Sequence, residues 1–395
     1  MISKRALFYS HLAQTSPAPM GLEVERAKGI YLYDSQGKAY IDLIAGISVS
    51  NVGHGHPKVQ EAVKNQIDLY AHLMVYGEYI QGPQVELAQL ITSLLPPQLD
   101  NVYFVNSGSE ANEGAMKLAK RYTGRGKLVY CKNAYHGSTQ GTLSIIGDEK
   151  FKKPFEPLLP GTVEMHFNQE EDLALITDEV AAVILEPIQA EAGIIVPAHD
   201  YLKKLRRRCT EVGALLIFDE VQTGFGRTGK MFGFEQFGVI PDIMTLAKGM
   251  GGGMPIGAFI ASRDMMQCLT HDPVLGHITT FGGHPVSCAA SKACIEVLLE
   301  GQLVQEVEPK GRLFMDRLDH PLIKEKRGIG LLIGLDFGTQ DLNFKVIAKC
   351  IEKGVITDWF LFNDSTLRIA PPLTISEQEV IKACELILEA LDEIS

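Results

Sequence analysis

The stretch Ala214-Leu215-Leu216-Ile217-Phe218-Asp219-Glu220-Val221-Gln222-Thr223-Gly224 decides the fold. A run apolar at every position predicts a strand covered on both faces, the pattern of a parallel sheet between two helix layers. Two carboxylates close it and a glycine follows. The same pattern recurs along the chain. Val102–Val105 leads into Asn106-Ser107-Gly108-Ser109, Lys127–Cys131 into Tyr135-His136-Gly137, Ala181–Leu185 into Glu186-Pro187, and Ile243–Leu246 into Lys248. Gly257–Ala261 follows the glycines 251–253. Helical patterns separate these runs, as expected of parallel strands joined by crossover helices. The fold class is therefore α/β, with a large doubly wound, mostly parallel sheet domain over residues 50–285.

The chain ends read differently. Gly29–Asp42 has the pattern of a hairpin, Ile30–Tyr33 followed by Ala39–Leu43. Gly330–Phe337 and Thr366–Ile369 predict further strands, and Ser376 with Glu379 forms the capping box of a last helix. Residues 1–49 and 286–395 are expected to join as a smaller α+β domain.

With 395 residues, 46% of them hydrophobic and 22% charged, the chain carries enough apolar material for a sizeable core. A net charge of −11 leaves no basic footprint for nucleic acid or anionic lipid. No apolar run approaches the ~18 residues of a membrane helix, and the first residues lack a signal-peptide pattern. Seven cysteines without C-x-x-C spacing point to reduced thiols in a cytoplasmic protein, not to disulfides or a zinc site. His54 and His56 lack the further ligands that a metal needs. No metal is expected.

Ligands of such sheets bind beyond the carboxyl ends of the strands. There Gly108 and Ser109 open a helix whose amides suit a phosphate, although Ser107 and Glu110 also read as a capping box. Tyr135 suits stacking on a flat ring or is simply a loop aromatic. Asp219, in a low-dielectric setting, calls for a cation, a protonated ring nitrogen or a helix to cap. Lys248, desolvated beside bare glycine backbone, suits a Schiff base, while its ordinary reading is a lysine reaching from a strand end to water. Each has a bland explanation alone. Together they are the parts that a pyridoxal phosphate site requires.

These motifs give the chain a close resemblance to a known family. Asn106-Ser107-Gly108-Ser109-Glu110-Ala111, Glu186-Pro187-Ile188-Gln189, Asp219 to Gly224 and Leu246-Ala247-Lys248-Gly249 resemble the class III aminotransferases of pyridoxal-phosphate fold type I, the ornithine, acetylornithine and 4-aminobutyrate type. The resemblance runs from Leu32-Tyr33-Asp34 to Arg368-Ile369-Ala370-Pro371-Pro372-Leu373. It implies a ping-pong exchange of an amino group between an amine or amino acid, of acetylornithine or ω-amino acid type, and a 2-oxo acid. Lys248 would hold the cofactor and move protons, and Asp219 would pair with its ring nitrogen. Gly108 and Ser109 would take the phosphate, Tyr135 and Val221 the two ring faces, and Gln222 the neighbourhood of the ring oxygen. His136 and Glu186 would complete the cofactor set. Thr280 matches the position that binds the phosphate of a neighbouring subunit, implying a homodimer with a shared active site.

Arg368 matches the arginine that grips a substrate carboxylate, and Glu191 the glutamate that pairs with it when an ω-amine is bound. Two positions set this chain apart. Ser138 stands where these relatives carry an arginine after His-Gly, and Ile47 stands where ornithine enzymes carry a tyrosine. Losing a charge-assisted pair worth ~1.5–3 kcal/mol should weaken binding of glutamate and 2-oxoglutarate. A racemase, epimerase or aminomutase on the same fold is the alternative, and Glu191 with Arg368 favours transamination. The glycine cluster 249–253 lacks the context of a dinucleotide fingerprint. A catalytically silent binding protein sits poorly with Lys248 and Asp219.

Overall fold

A computed structural model describes residues 2–395; Met1, the first residue of the expected smaller domain, lies outside them. Strand Leu215–Asp219 lies at the centre of a seven-stranded sheet. The order across that sheet is Asn101–Val105, Gly257–Ala261, Ile243–Leu246, Leu215–Asp219, Val180–Leu185, Lys127–Cys131 and Thr162–Met165. Alternate side chains serve two cores, one on each face. Leu216 and Phe218 pack with Leu185, Met244 and Ile260 on one side. Ile217 packs with Ile184, Ile243 and Phe259 on the other. Double-sided burial explains why these runs show no polar alternation.

One strand departs from the parallel expectation. Gly257–Ala261 runs antiparallel to both Asn101–Val105 and Ile243–Leu246. The connection from Leu246 to Gly257 holds only a short 3-10 turn, Lys248–Gly251. Returning in the same direction needs a crossover of a dozen or more residues, so the chain can only turn back. The other neighbouring pairs in this sheet are parallel.

Helix Gly108–Thr123 starts at Ser107, whose Oγ accepts from Glu110 N at 3.2 Å, and ends at Gly124 in the left-handed region, φ 69°. The expected capping box forms only on that side. The Glu110 carboxylate turns back one residue further and accepts from Asn106 N at 2.6 Å. On the opposite face of the sheet, helix Pro285–Glu300 packs against Pro57–Leu69 and Gly82–Ser93.

Two four-stranded sheets come from the chain ends. In one, the hairpin Tyr31–Asp34 and Ala39–Asp42 pairs with Val24–Lys28 on one side. On the other it pairs in parallel with Val355–Ile356, nearly the whole chain away. The other sheet holds Glu325–Ile329, Leu332–Asp336, Asn363–Ile369 and Asp358–Phe360. The expected single strand Gly330–Phe337 is shorter, because Gly330, at φ 58°, makes the turn with Leu331 that reverses the chain. The last helix, Glu377–Asp392, opens with the expected Ser376–Glu379 box. Six of the seven free cysteines are buried. Among the described residues, no helix is long and apolar enough to cross a membrane.

At Gly114 the helix lies tight on the sheet, since a Cβ there would overlap Phe259 Cε1. Gly114→Ala is expected to cost about 1–3 kcal/mol of stability by overpacking, despite the better helix former. The midpoint of denaturant unfolding checks it.

Candidate active site

The carboxyl ends of the strands Asn101–Val105, Lys127–Cys131, Val180–Leu185, Leu215–Asp219 and Ile243–Leu246 open onto one cleft of about 420 Å³. At its floor Asp219 is 4% exposed. Its Oδ2 accepts from Asn112 Nδ2 at 2.8 Å and faces His136 Nδ1 at 2.8 Å, while its Oδ1 accepts from Val221 N at 3.0 Å. Asn112 is itself oriented: Thr245 Oγ1 donates to its Oδ1 at 2.7 Å, and its Nδ2 also reaches His136 O at 2.8 Å. The buried carboxylate thus has donors from three separate elements, the condition for carrying charge in low dielectric.

Lys248 also reaches the cleft. Its backbone is left-handed, φ 45°, and no hydrogen-bond partner of its Nζ stands among the described residues. Burial lowers the pKa of its amine; the Glu191 and Asp219 carboxylates oppose that shift and Arg368 adds to it. Glu186 lies beneath Tyr135, accepting from Tyr135 N at 3.1 Å and Ala190 N at 2.9 Å. Burial pushes its carboxyl up to about 7, against the pull of His136 and with the push of Asp219.

At the start of helix Gly108–Thr123, the amides of Gly108 and Ser109 have no acceptor among the described residues, leaving two donors at the positive helix end. A Cβ on Gly108 would stand 3.0 Å from Val221 Cγ1, so only a bare backbone lets Val221 close that wall. Tyr135 forms another wall, its hydroxyl 2.9 Å from Ser138 Oγ. Gln222 lines the cleft with one amide atom, Oε1, buried and without a partner.

Behind Gln222 lies a charged cluster. Gln222 Nε2 donates to Glu191 Oε1 at 2.8 Å. Arg368 grips the same carboxylate with two prongs, Nη1 to Oε1 at 2.8 Å and Nη2 to Oε2 at 3.0 Å. Its Nε stands 3.0 Å from Asp358 Oδ1. Burial alone would raise the Glu191 carboxyl, but Arg368 and the amide of Leu361 hold it down to about 2. Asp358, less favourably placed on the same cation, is raised by burial to about 6.

Over residues 12–391 the sequence matches the aminotransferase class-III family. The chain belongs to the class-III aminotransferases. It is 41% identical to the acetylornithine aminotransferase of Caldanaerobacter subterraneus subsp. tengcongensis, over 93% of this chain and 94% of that one. It is 42% identical to the acetylornithine aminotransferase of Methanocaldococcus jannaschii, over 93% and 92%. In three dimensions it resembles the ornithine aminotransferase of Toxoplasma gondii, whose active site holds pyridoxal phosphate at partial occupancy. The TM-score is 0.90 at 30% identity, covering 98% of this chain and 92% of that one. The fold is that of the pyridoxal-phosphate aminotransferases, and pyridoxal phosphate is the cofactor. The cleft fits it: two unpaired amides suit a phosphate, Gln222 Oε1 is buried without a partner, Lys248 lines the cleft, and the Asp219 carboxylate stands on the floor.

The cleft of this aminotransferase does not gather every residue singled out in the sequence. Ser138 is exposed at the rim. Ile47 does not line the cleft, whereas Val49 does, because Ala45, Gly46, Ile47 and Ser48 all have positive φ and wind the chain left-handed. Thr280 is exposed on a loop outside the cleft of its own chain. Sequence reasoning passed over Asn112, Thr245 and Asp358. Of these, Thr245 carries a signal, as the one polar residue in an otherwise apolar strand.

Glu191 ties stability to pH. Its carboxyl lies near 2 in the folded chain against an ordinary 4.5. Its contribution is therefore complete above 4.5 and is lost as pH falls toward 2. Denaturant unfolding across that window should show a steeper acid loss for the wild type than for Glu191→Gln.

Proposed function

We propose that this aminotransferase passes an amino group from an acetylornithine-type or ω-amino donor to a 2-oxo acid, with Arg368 reading the carboxylate. The observation that carries this reading is the two-pronged, buried contact between Arg368 and Glu191. Glu191 occupies the guanidinium fork, leaving Arg368 neutralised when a substrate brings no carboxylate. A carboxylate competing for the fork has to displace Glu191, which Gln222 Nε2 and Leu361 N are placed to hold. The acetylornithine assignment follows the names of the two relatives.

Bound pyridoxal phosphate would supply an electron sink for the substrate carbon. The other steps fall to the chain. Lys248 Nζ holds the cofactor and carries the proton to and from that carbon; its lowered pKa supplies the neutral amine. Asp219, fixed by His136 and Asn112, keeps the ring nitrogen protonated. Gly108 and Ser109 would donate to the phosphate, Tyr135 and Val221 would enclose the ring, and Gln222 Oε1 would be the acceptor for its hydroxyl. Glu186 holds the Tyr135 loop through the Tyr135 amide.

Ser138 bears on the acceptor. Its hydroxyl is bonded to Tyr135, and it offers no cation to a second carboxylate. Monocarboxylate 2-oxo acids are therefore favoured over dicarboxylates. Thr280 fits a role in a homodimer: beside it Ile278 and Phe281 are 50% and 54% exposed, an apolar edge for a second copy to cover. In this reading residues 50–285 form the cofactor domain, and 1–49 with 286–395 the smaller one, in a cytoplasmic enzyme.

Steady-state kinetics with N-acetylornithine, ornithine, 4-aminobutyrate and β-alanine test the reading. Parallel double-reciprocal lines and a preference for pyruvate over 2-oxoglutarate are expected. Ser138→Arg should lower the KM for 2-oxoglutarate by roughly tenfold, the weight of one charge-assisted pair. Conversion of an amino acid with no added 2-oxo acid would instead establish an isomerase.

A further inference from the structure

Arg227 is fully buried, yet no carboxylate forms an ion pair with it among the described residues. Its Nη1 donates to Leu331 O at 2.9 Å and Pro371 O at 2.6 Å, and its Nη2 to Asn51 Oδ1 at 2.6 Å. Its Nε has no acceptor. Burial brings its pKa down to about 9, with Asp42 opposing. Burying a cation this way is costly, so the fork has to supply something that a neutral side chain cannot.

The one side chain it bonds, Asn51, is also fully buried. Asn51 Nδ2 donates to Phe225 O at 2.9 Å, and Asn51 O accepts from Leu373 N at 2.8 Å. The side chain presses on the residue after Lys248: a Cβ on Gly249 would stand 2.5 Å from Asn51 Nδ2. Lys248 itself is in a left-handed conformation that a non-glycine residue holds only when its surroundings over-determine it. At the other end, Pro371 O lies three residues beyond Arg368 on the chain leaving strand Asn363–Ile369.

We propose that Arg227 and Asn51 form a pin that sets the spacing between Lys248 and Arg368, making both of them positioning residues for carboxylate-bearing substrates. The inference rests on the roles given above to Lys248 and Arg368. One guanidinium and one amide link the loop after Asp219 to the chain following Arg368, and the same amide packs against the backbone beside Lys248. A substrate held at both ends feels any change in that spacing, and misplacement of about 1 Å costs up to roughly 10²-fold in rate. A substrate held only at its amine does not feel it.

The test compares Asn51→Ala, Arg227→Lys and Arg368→Gln with the wild type. Each is assayed with a 2-oxo monocarboxylate and with a primary amine lacking any carboxylate, and hydrogen exchange is followed peptide by peptide. Asn51→Ala and Arg227→Lys should raise the KM for the oxo acid about tenfold or more while leaving that for the amine unchanged. Faster exchange should be confined to peptides around 225–227, 249–251, 331 and 368–373. Equal losses for both substrates, with exchange faster throughout, would make the pair merely structural and overturn the pin. If Arg227→Lys fails to fold, Asn51→Ala decides, since it leaves the arginine both carbonyl acceptors. An unchanged oxo-acid KM in Arg368→Gln would overturn the reading of Arg368, and the pin with it. A rise there, with no rise in Asn51→Ala, would overturn the pin alone.

Discussion

A carboxylate at the end of a buried strand is destabilising unless donors meet it, and the site is arranged around meeting the one on Asp219. Three donors reach it from three elements: Asn112 on the phosphate-side helix, His136 on the loop after Lys127–Cys131, and the amide of Val221. Each hydrogen bond to a charged group contributes about 1.5–3 kcal/mol. Meeting that demand also fixes the surroundings. Asn112 holds the His136 backbone as well, and Val221 cannot leave its wall without giving up Asp219. The carboxylate proposed to serve the ring nitrogen is thus also the fastener for two walls of the cleft.

The second charged centre follows a different rule, because one guanidinium faces two carboxylates. Arg368 gives its fork to Glu191, while its Nε only stands 3.0 Å from Asp358 Oδ1, outside hydrogen-bonding geometry. The unequal shares appear in their protonation, Glu191 down to about 2 and Asp358 up to about 6. An ionised Glu191 held by Arg368, Gln222 and Leu361 suits a group that yields only to another carboxylate. In the proposed reading, the helix N-terminus, the floor carboxylate and this cluster divide the recognition of phosphate, ring and substrate among them.

Most of this was legible because strands buried on both faces must be apolar throughout, so any polar residue at their carboxyl ends stands out. Asp219, Lys248, Glu186 and the Gly108 turn were visible on that ground. Gly257–Ala261 showed itself as a strand but not its direction, which depends on the length of the connection before it. Asn112 was hidden within a helix, where an asparagine reads as surface until the packing is known. Arg227 and Asn51 are far apart in the sequence and meet only through the fold. The left-handed winding of Ala45–Ser48, which sets Val49 and not Ile47 on the wall, has no signal in a stretch with one glycine among its four residues.

The central claim is that the Asp219 network keeps a positive charge on the cofactor ring. Nitrogen-15 NMR of the protein loaded with ring-labelled pyridoxal phosphate tests it most directly. The account predicts a ring nitrogen that stays protonated well above the range in which the free cofactor titrates, and that loses this protection in Asp219→Asn. A wild-type nitrogen that titrates like the free cofactor, or one indifferent to Asp219→Asn, would contradict it.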